Sequence, residues 1–432
     1  MPRTTPQTRP VYIVDGNRTP FLKAKGIGPF SASDLAVEAA RTLLARMPFS
    51  PSDIEEVVAG CMIPSEDEAN IGRIIALRLG CGNHVPGWTV QRNCASGMQA
   101  LDSAYKDIAI GRHDLVLAGG TEAMSRSPLI YNRNVIEWFL RLMSAKSMGA
   151  RVGTFLKLPL GNMLKPIIAL LHGLTDPLCG MGMGQTAEQV AYRFGISREA
   201  MDHFAFESHQ RLAHAFDRGY MTEITPIIDG KGKVYDIDTG LRPDTTLEKL
   251  ATLRPMFDKK YGLVTAGNSS QVTDGACFMV LASEDAVEKY KLPVMAEIKD
   301  VQWGACDPRE MGLGPVHATT PILQRHQYQL SDIDYWEINE AFAGQVLGCL
   351  AAWEDEAYCK KVLGLPGALG AIDPERLDVD GGSVAIGHPV GASGARITLH
   401  LINVLQRKNA KRGIATICIG GGQGGAMLIE RV

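Results

Sequence analysis

The chain has 432 residues, of which 45% are hydrophobic and 21% charged, and its 44 basic and 47 acidic side chains give a formal net charge of −3. This length exceeds one ordinary hydrophobic core and excludes a small binding module, and the near-neutral balance argues against nucleic-acid binding, which needs a basic surface. Nine scattered cysteines without paired Cys or His spacing argue against a disulfide scaffold and predict that no metal is bound.

The N-terminal residues 1–10 contain no apolar run of the length that a secretory signal needs. The most apolar uncharged stretch, residues 166–175, is about half as long as a segment that crosses a bilayer. Because the cysteine usage is typical of a reducing compartment, we expect the protein to be cytoplasmic.

Helical and strand-like patterns alternate along the chain. A helix is predicted over 33–46, and strand-like runs follow at 87–91 and 114–120, the second of which ends in a glycine turn. Residues 186–193 again have helical spacing, and the strand-like run 414–422 ends in three glycines. Strands that end in glycine turns between helices predict a mixed α/β fold.

Short sequence motifs from the N-terminal part of the chain recur in the same order in its C-terminal part, which indicates an internal duplication. Three pairs match: Ser52-Asp-Ile with Ser331-Asp-Ile, Cys94-Ala-Ser-Gly97 with Gly391-Ala-Ser-Gly394, and the strand words at 111–120 and 411–420. We therefore predict two similar α/β halves related by a pseudo-twofold axis, with coincidence between short words as the alternative.

The duplication divides the chain into three predicted parts. Residues 1–123 and 272–294 form the first half, and residues 295–432 form the second half. Residues 124–271, about 150 in all, have no counterpart in the second half, so we expect them to form an inserted lobe.

Cys94 lies between a strand-like run and a predicted helix, and the small residues at 95–97 leave its thiol uncovered. The partial positive charge at a helix N-terminus favours a thiolate over a thiol. Cys94 is therefore predicted to be a reactive nucleophile, with a small buried cysteine as the alternative.

His388 lies in a glycine-rich turn just before the predicted second-half helix. Because the helices that follow Cys94 and His388 would be symmetry mates, we expect their starts to meet near the axis and bring a base to a thiol. Cys418 ends the matching second-half strand and adds a second thiol at the carboxyl edge of the sheet, where open α/β sheets bind ligands.

The glycine run at 420–425 matches the G-x-G-x-x-G pattern of dinucleotide-binding proteins. That pattern should open a helix and be followed by an acidic residue about 20 positions later, but the sequence stops at Val432. The run is better interpreted as a surface of backbone N–H groups that a ligand approaches closely.

Four motifs in this order make the sequence resemble the thiolase family: Asn93-Cys94-Ala-Ser-Gly97, Asn339-Glu-Ala-Phe342, Gly387-His388-Pro389 and Cys418-Ile-Gly-Gly-Gly422. The resemblance covers essentially the whole chain. It is closest to the fatty-acid-oxidation branch, the 3-ketoacyl-CoA thiolases, near the β-subunits of trifunctional complexes. It implies a five-layered αβαβα fold of two duplicated halves with an inserted loop domain.

The resemblance also implies a role for each catalytic residue. Cys94 would be the nucleophile that becomes acylated, His388 the base that takes its proton, and Cys418 the second acid and base. One oxyanion site would consist of His388 with a water held by Asn339, and the other of the backbone N–H groups of Cys94 and Gly420. A helix cap is the alternative role for Asn339.

The implied reaction is cleavage of a 3-ketoacyl-CoA by coenzyme A to acetyl-CoA and a shortened acyl-CoA. Coenzyme A would be a co-substrate, and no cofactor would be bound permanently. Coenzyme A is expected on the inserted lobe near Arg242, Ala266 and Ser270, and Phe342 is expected to line the pocket. A surface ion pair is the alternative role for Arg242.

Two departures from related branches bear on the substrate and partners. Gly182-Met-Gly stands where short-chain acetoacetyl-CoA thiolases typically carry His-Met-Gly, which weakens an acetoacetyl-CoA preference. Asn339 stands where trifunctional β-subunits often have histidine, which weakens the expectation of a complex with a hydratase/dehydrogenase subunit. A homodimer or homotetramer remains the expected assembly.

Three other functions are compatible with the family resemblance. They are a biosynthetic acetoacetyl-CoA thiolase, a ketoacyl synthase, and a non-catalytic lipid or acyl-CoA carrier on the same fold. Cys418 argues against a synthase, which uses two histidines instead. A carrier would need none of the four residues Cys94, Asn339, His388 and Cys418, so their joint presence argues against a carrier.

One segment of the predicted inserted lobe is both apolar and basic. Residues 125–182 carry seven basic and two acidic side chains, a net charge of +5. A helix is predicted over 135–146, and residues 156–171 add a second apolar stretch that contains Pro159 and Pro166. An apolar face with cationic flanks predicts peripheral membrane contact; packing on a partner subunit or covering the acyl tunnel is the alternative.

Overall fold

A computed structural model of the chain describes residues 9–432, so most of the predicted N-terminal tail lies outside the described residues. The first part of the chain supplies these elements: β1 (Val11–Arg18), β2 (Leu22–Lys23), α1 (Ala32–Leu44), β3 (Glu56–Gly60), α2 (Ile71–Arg78), β4 (Gly87–Val90), α3 (Ser96–Ala109) and β5 (Leu115–Ala123). The predicted helix at 33–46 and the strands at 87–91 and 114–120 are confirmed, with shifts of one to three residues at their ends.

The next part of the chain is mostly helical and has only short strands. Its elements are β6 (Leu129–Ile130), α4 (Arg133–Ser144), α5 (Met148–Phe155), α6 (Leu160–Met163), β7 (Ile167–Ile168), α7 (Ala169–Gly173), α8 (Met183–Phe194), α9 (Arg198–Asp217), β8 (Ile227–Ile228), β9 (Val234–Tyr235) and α10 (Leu247–Ala251). The predicted helix at 186–193 begins three residues earlier than expected, because Gln185 bonds back to the Gly182 backbone at the N-terminus of α8.

The last part of the chain returns to long strands and helices. Its elements are β10 (Thr273–Ser283), α11 (Glu284–Tyr290), β11 (Ala296–Ala305), α12 (Gly314–His326), β12 (Tyr335–Ile338), α13 (Ala343–Glu354), α14 (Glu356–Lys361), α15 (Ser383–Ile386), α16 (Val390–Lys408), β13 (Arg412–Ile419) and β14 (Gln423–Arg431). β5 and β10 are neighbours in the sheet, so the chain leaves the sheet after Ala123 and rejoins it at Thr273. The proposed domain boundaries remain a prediction.

The strand pairing has the same pattern at both ends of the sheet. In the first half, β1 and β10 pair antiparallel, β10 and β5 pair antiparallel, and β5 and β3 pair parallel. In the second half, β11–β14, β14–β13 and β13–β12 repeat these directions. A register shift occurs in both β1 and β11. The predicted duplication of an α/β unit is therefore confirmed.

The core residues fall into layers that follow from the alternation of side chains along each strand. In β5, Leu117 packs in the cluster that contains α1, whereas Val116 packs in the cluster that contains α3 and α16. In β13, Ile417 packs in this central cluster, whereas Ile414 packs with residues of α12. The helices α3 and α16 therefore form the central layer of an αβαβα arrangement, as expected.

The starts of α3 and α16 meet at glycines, as the predicted symmetry requires. A Cβ atom on Gly97 would lie 2.8 Å from the carbonyl oxygen of Gly391, and one on Gly394 would lie 2.7 Å from the backbone nitrogen of Met98. Larger side chains would push the two helices apart. The segments that carry Cys94 and His388 are thereby held against each other.

A buried ionic cluster ties the intervening residues to both halves. Arg18 of β1 binds Asp238 through two nitrogen–oxygen contacts of 2.8 Å. His400 of α16 lies 2.9 Å from Glu223 and 3.1 Å from Asp380. Although burial opposes it, attraction to these carboxylates raises the pKa of His400 to about 10, so its imidazole is charged at neutral pH.

Candidate active site

Cys94 lies in a tight turn between β4 and α3. The preceding residue, Asn93, has a φ of 44°, in the left-handed region that side chains rarely adopt. The hydroxyl of Ser96 donates to the Asn93 carbonyl at 2.8 Å and accepts the Arg92 N–H at 2.9 Å. These bonds fix the turn and therefore the position of the Cys94 thiol.

The glycine turn after β13 approaches Cys94 from the second half. The backbone N–H of Gly420 lies near enough to the Cys94 thiol to favour its ionised form, and Asn93 Nδ2 donates to the Gly420 carbonyl at 2.8 Å. Both Cys94 and Gly420 line one apolar cavity. The structure thus brings together the two residues whose N–H groups were expected to form an oxyanion site.

The resting thiol of Cys94 differs from the expectation of a ready-made thiolate. Burial raises its pKa to about 11, and the N–H groups of Gly420 and Cys94 itself offset this only in part. The helix start has less effect than predicted because α3 begins at Ser96, two residues further on. Cys94 is therefore protonated at neutral pH and needs a base before it can attack.

His388 has the properties of such a base. The hydroxyl of Ser393 donates to the Pro389 carbonyl at 3.0 Å, so its oxygen accepts from His388 Nδ1–H at 2.6 Å. The Nε2 atom then carries the free lone pair, and no described residue is its hydrogen-bond partner. Burial, with the nearby charge of Arg396, lowers the pKa of His388 to about 3, so the ring is neutral at pH 7.

Cys418 is the last residue but one of β13 and is almost completely buried. It packs among apolar residues that include Phe342 and Met311. Burial raises the pKa of its thiol well above the usual value, and the proximity of Cys94 raises it further. The second thiol thus lies near the first and is also protonated at rest.

Asn339 follows β12 and is fully buried. Its Oδ1 accepts a hydrogen bond from the Ser383 hydroxyl at 2.6 Å, whereas its Nδ2 has no partner among the described residues. The alternative role as a helix cap is wrong, because α13 begins at Ala343 and its cap residue is Phe342. The Nδ2 donor remains available for a water or a substrate oxygen.

Of the expected coenzyme A residues, Ser270 contacts the loop that carries Asn339 and Phe342. The Ser270 N–H donates to the Ala341 carbonyl at 2.9 Å. Ala266 is exposed and Ser270 is partly exposed. None of the expected contacts, Arg242, Ala266 and Ser270, is among the described residues that line the apolar cavity at Cys94.

Arg242 is half-buried, and the alternative of a surface ion pair receives no support. The neighbouring carboxylate of Asp244 instead binds Lys249 at 2.7 Å. No carboxylate of residues 9–432 lies within ion-pair distance of Arg242. Its guanidinium is therefore free to bind an anionic group.

Several residues at the site were not predicted from the motifs. Apolar side chains from separate parts of the chain line the cavity, namely Met62, Ile63, Met124, Leu170, Leu174 and Met183. The buried carboxylate of Glu122 accepts the N–H groups of Met62, Ile63 and Gly391 at 2.9 to 3.0 Å. It thereby connects the cavity wall to the start of α16, and burial raises its pKa to about 7.

Ser393 and Ser383 were also missed as functional residues. Ser393 lies inside the repeated Ala-Ser-Gly motif, so its place at the helix start was a usable signal. Ser383 lies in no motif. Within residues 9–432, no three His, Cys, Asp or Glu side chains are grouped as a metal site requires.

Comparison with known proteins agrees with this geometry. The family model for the N-terminal domain of thiolase matches residues 11–285, and that for the C-terminal domain matches residues 292–431. The chain is 39% identical to the mitochondrial 3-ketoacyl-CoA thiolase of Rattus norvegicus over 98% of both chains. It is also 39% identical to the 3-oxoadipyl-CoA/3-oxo-5,6-dehydrosuberyl-CoA thiolase of Escherichia coli K12, over 98% of this chain and all of the relative.

Solved structures show the same fold. The human mitochondrial 3-ketoacyl-CoA thiolase in complex with CoA superposes with a TM-score of 0.83 at 36% identity, over 98% of each chain. The matches of both domain models and of these full-length relatives cover nearly the entire sequence. The chain therefore belongs to the thiolase family of acyltransferases.

Proposed function

We propose that this chain cleaves 3-ketoacyl-CoA substrates with coenzyme A, through an acyl group carried on Cys94. The observation that carries this proposal is the apolar cavity in which the Cys94 thiol meets the N–H of Gly420. A neutral His388 with a free Nε2 belongs to the adjoining start of α16. The arrangement supplies a nucleophile, a base and an oxyanion donor for acyl transfer.

The first half-reaction transfers the acyl group to Cys94. His388 Nε2 takes the thiol proton while the sulfur attacks the 3-keto carbon, and the N–H groups of Cys94 and Gly420 stabilise the tetrahedral oxyanion. The bond between the second and third carbons then breaks. The acetyl-CoA enolate leaves with its oxygen bound by protonated His388 and a water on Asn339 Nδ2, and Cys418 protonates its second carbon.

The second half-reaction regenerates the enzyme. The Cys418 thiolate takes the proton of the coenzyme A thiol, and the coenzyme A sulfur attacks the acyl group on Cys94. The acyl–sulfur bond to Cys94 breaks, the proton on His388 returns to Cys94, and the shortened acyl-CoA leaves. Coenzyme A is therefore a co-substrate, and the chemistry needs no permanently bound cofactor.

Coenzyme A is proposed to reach the site along the loop residues Ala266 and Ser270, with Arg242 binding its anionic nucleotide end. This path is supported by the contact of Ser270 with Ala341, in the loop between Asn339 and Phe342. The unpaired guanidinium of Arg242 supports the nucleotide contact, because arginine binds phosphate through several N–H donors.

The proposed reaction can be tested with a panel of 3-ketoacyl-CoA substrates, including acetoacetyl-CoA, longer apolar chains and 3-oxoadipyl-CoA. We expect acetyl-CoA to form only when coenzyme A is added. Apolar chains longer than acetoacetyl-CoA should be preferred to 3-oxoadipyl-CoA, because the cavity wall at Cys94 is almost entirely apolar.

The other results would point to different functions. A strong preference for acetoacetyl-CoA would favour the biosynthetic alternative. Absence of CoA-dependent cleavage at every chain length, with acyl-CoA still bound, would contradict the proposed reaction and favour a carrier.

A second proposal concerns residues 125–182, which we infer to contact an anionic membrane surface. α4 packs inward through Val135 and Trp138, and the Trp138 Nε1–H donates to the Thr154 carbonyl at 2.9 Å. Its opposite face exposes Ile136, Leu140 and Met143, and the next turns expose further apolar side chains, Met148, Phe155, Leu156 and Leu164.

Basic side chains of the same segment are exposed as well. Arg141, Arg151, Lys157 and Lys165 are exposed, and the segment carries a net charge of +5. Exposed apolar side chains with cationic neighbours fit the headgroup region of an anionic bilayer. Residues 9–432 include no helix both long and apolar enough to span a bilayer, so the contact proposed is peripheral.

The segment also contributes to the acyl cavity, through Leu170 and Leu174. The alternative interpretation, that the segment covers the acyl site, is therefore supported for Leu170 and Leu174. It is not supported for Met143 and Leu156, which are 80% and 81% exposed. Packing of the exposed face on a second copy or on a hydratase/dehydrogenase subunit is the competing proposal.

Co-sedimentation with vesicles that contain anionic lipid tests the membrane proposal. The triple variant Leu140→Ser, Met143→Ser and Leu156→Ser should stay in the supernatant, whereas the unaltered protein should pellet at low salt. The matched control is Ile27→Ser, Ile110→Ser and Ile228→Ser, which removes three equally exposed apolar side chains elsewhere and should still pellet. Equal sedimentation of all three proteins, or none by the unaltered protein, contradicts membrane contact.

A further inference from the structure

The amide of Asn339 can act on the substrate oxygen or its water as a donor only if its nitrogen faces the site. An asparagine side chain has nearly the same shape when its oxygen and nitrogen are exchanged. Asn339 is fully buried, so solvent does not select between the two orientations. Its function in the proposed reaction therefore depends on a neighbour that recognises the oxygen.

Ser383 is that neighbour, and Arg396 determines which way its hydroxyl points. An Arg396 terminal nitrogen donates to Ser383 Oγ at 3.0 Å, and Ser383 Oγ donates to Asn339 Oδ1 at 2.6 Å. A guanidinium has donors only, so Ser383 must accept from Arg396. The single hydroxyl proton of Ser383 is then directed to Asn339, where it requires an oxygen.

Arg396, the first donor in this chain of hydrogen bonds, is itself held in place by an ion pair. Arg396 lies in α16 and binds Glu337 of β12 at 3.1 Å, and both side chains are almost completely buried. Glu337 precedes Asn339 by two residues. The guanidinium is thus fixed between the helix that follows His388 and the strand that precedes Asn339.

The buried polar atoms without a partner among the described residues include one on each of two proposed catalytic groups, Asn339 Nδ2 and His388 Nε2, and also Glu337 Oε1 and Arg396 Nε of this network. Buried polar groups of this kind are rare unless a ligand or water satisfies them. Arg396 is linked to both groups, since it reaches Asn339 through Ser383 and its charge acts on His388.

We propose that Ser383, oriented by Arg396, is a positioning residue that keeps the Asn339 amide nitrogen directed towards the reacting thioester oxygen and its water. Ser383 does not touch the substrate itself. This role rests on the proposed function, because it acts only through Asn339. It also explains why a hydroxyl is buried at the first residue of the short helix α15, where no motif requires it.

A double-mutant cycle tests this role. Ser383→Ala should lower kcat for thiolysis by about 10-fold, part of the loss expected for one oxyanion donor, with little change in KM for coenzyme A. Ser383→Thr, which keeps the hydroxyl, should recover most of the loss. In an Asn339→Ala background, Ser383→Ala should cause no further decrease in kcat.

The possible results separate this inference from the proposed reaction. An equal loss from Ser383→Ala with and without Asn339, or no loss in either, overturns the positioning role alone. An Asn339→Ala variant with unchanged kcat overturns the role of Asn339 in the proposed reaction, and the role of Ser383 with it. If Ser383→Ala does not fold, Ser383→Cys, a near-isosteric but weak donor, gives the same comparison.

Discussion

Replacement of Cys94 by alanine is expected to reduce CoA-dependent cleavage on the order of 10⁴-fold or more, because the covalent route is then lost. Alanine fits the turn, since the bonds that fix it come from Ser96 and the backbone rather than from the thiol. The variant should therefore keep the unfolding temperature of the unaltered protein and still bind coenzyme A.

A matched control distinguishes loss of the nucleophile from loss of any cysteine. Cys179 is also a free, half-buried thiol, but it does not line the cavity at Cys94. Cys179→Ala should retain full turnover. Turnover within about 10-fold of the unaltered protein for Cys94→Ala would contradict the proposed covalent mechanism.

Replacement of Cys418 by serine is expected to lower turnover by about 10² to 10⁴-fold while acyl transfer from an acyl-CoA to Cys94 remains measurable. A serine hydroxyl is a much weaker acid than a thiol, so it neither protonates the enolate nor activates coenzyme A efficiently. Rapid mixing that separates the acylation phase from steady-state turnover measures the two effects.

Two outcomes would contradict the role of Cys418. Unchanged turnover would mean that this thiol is only a packing residue of β13, among neighbours such as Phe342. Complete loss of acylation together with a lowered unfolding temperature would mean that the substitution disturbs the structure around Cys94, whose proximity already affects the pKa of Cys418.

The duplicated fold could be predicted because it depends on short sequence motifs that recur in the two halves. Gly97 and Gly394 occupy equivalent places in the repeated Ala-Ser-Gly motif and mark the close approach of α3 and α16, and the repetition of this motif predicted the duplicated halves. Cys94 directly precedes one copy of this motif and His388 lies four residues before the other, so the pseudo-symmetry predicted that the segments carrying them would meet.

The ionisation of the site could not be predicted in the same way. The helix start after Cys94 suggested a thiolate, but burial by residues as distant in sequence as Met62 and Met183 raises its pKa to about 11. The N–H groups of Gly420 and of Cys94 itself lower this pKa by less than the desolvation of the charge raises it. The Cys94 thiol and the His388 ring are therefore both neutral at rest.

Hydrogen bonds between residues far apart in the sequence could not be predicted for a similar reason. Ser383 and Asn339 are separated by 44 residues, and no spacing pattern connects them. In the basic segment, the sequence predicted α4 but not that Trp138 turns inward, because the partner that accepts its N–H lies in α5. Such contacts become visible only when the tertiary packing is known.

The most direct test of the covalent mechanism is to locate the acyl group. The unaltered protein is mixed briefly with a saturated acyl-CoA in the absence of free coenzyme A, quenched with acid and digested for mass spectrometry. One added acyl mass is expected on the peptide that contains Cys94, and none on this peptide in Cys94→Ala. An acyl group on Cys418 instead, or no acylated cysteine at all, would contradict it.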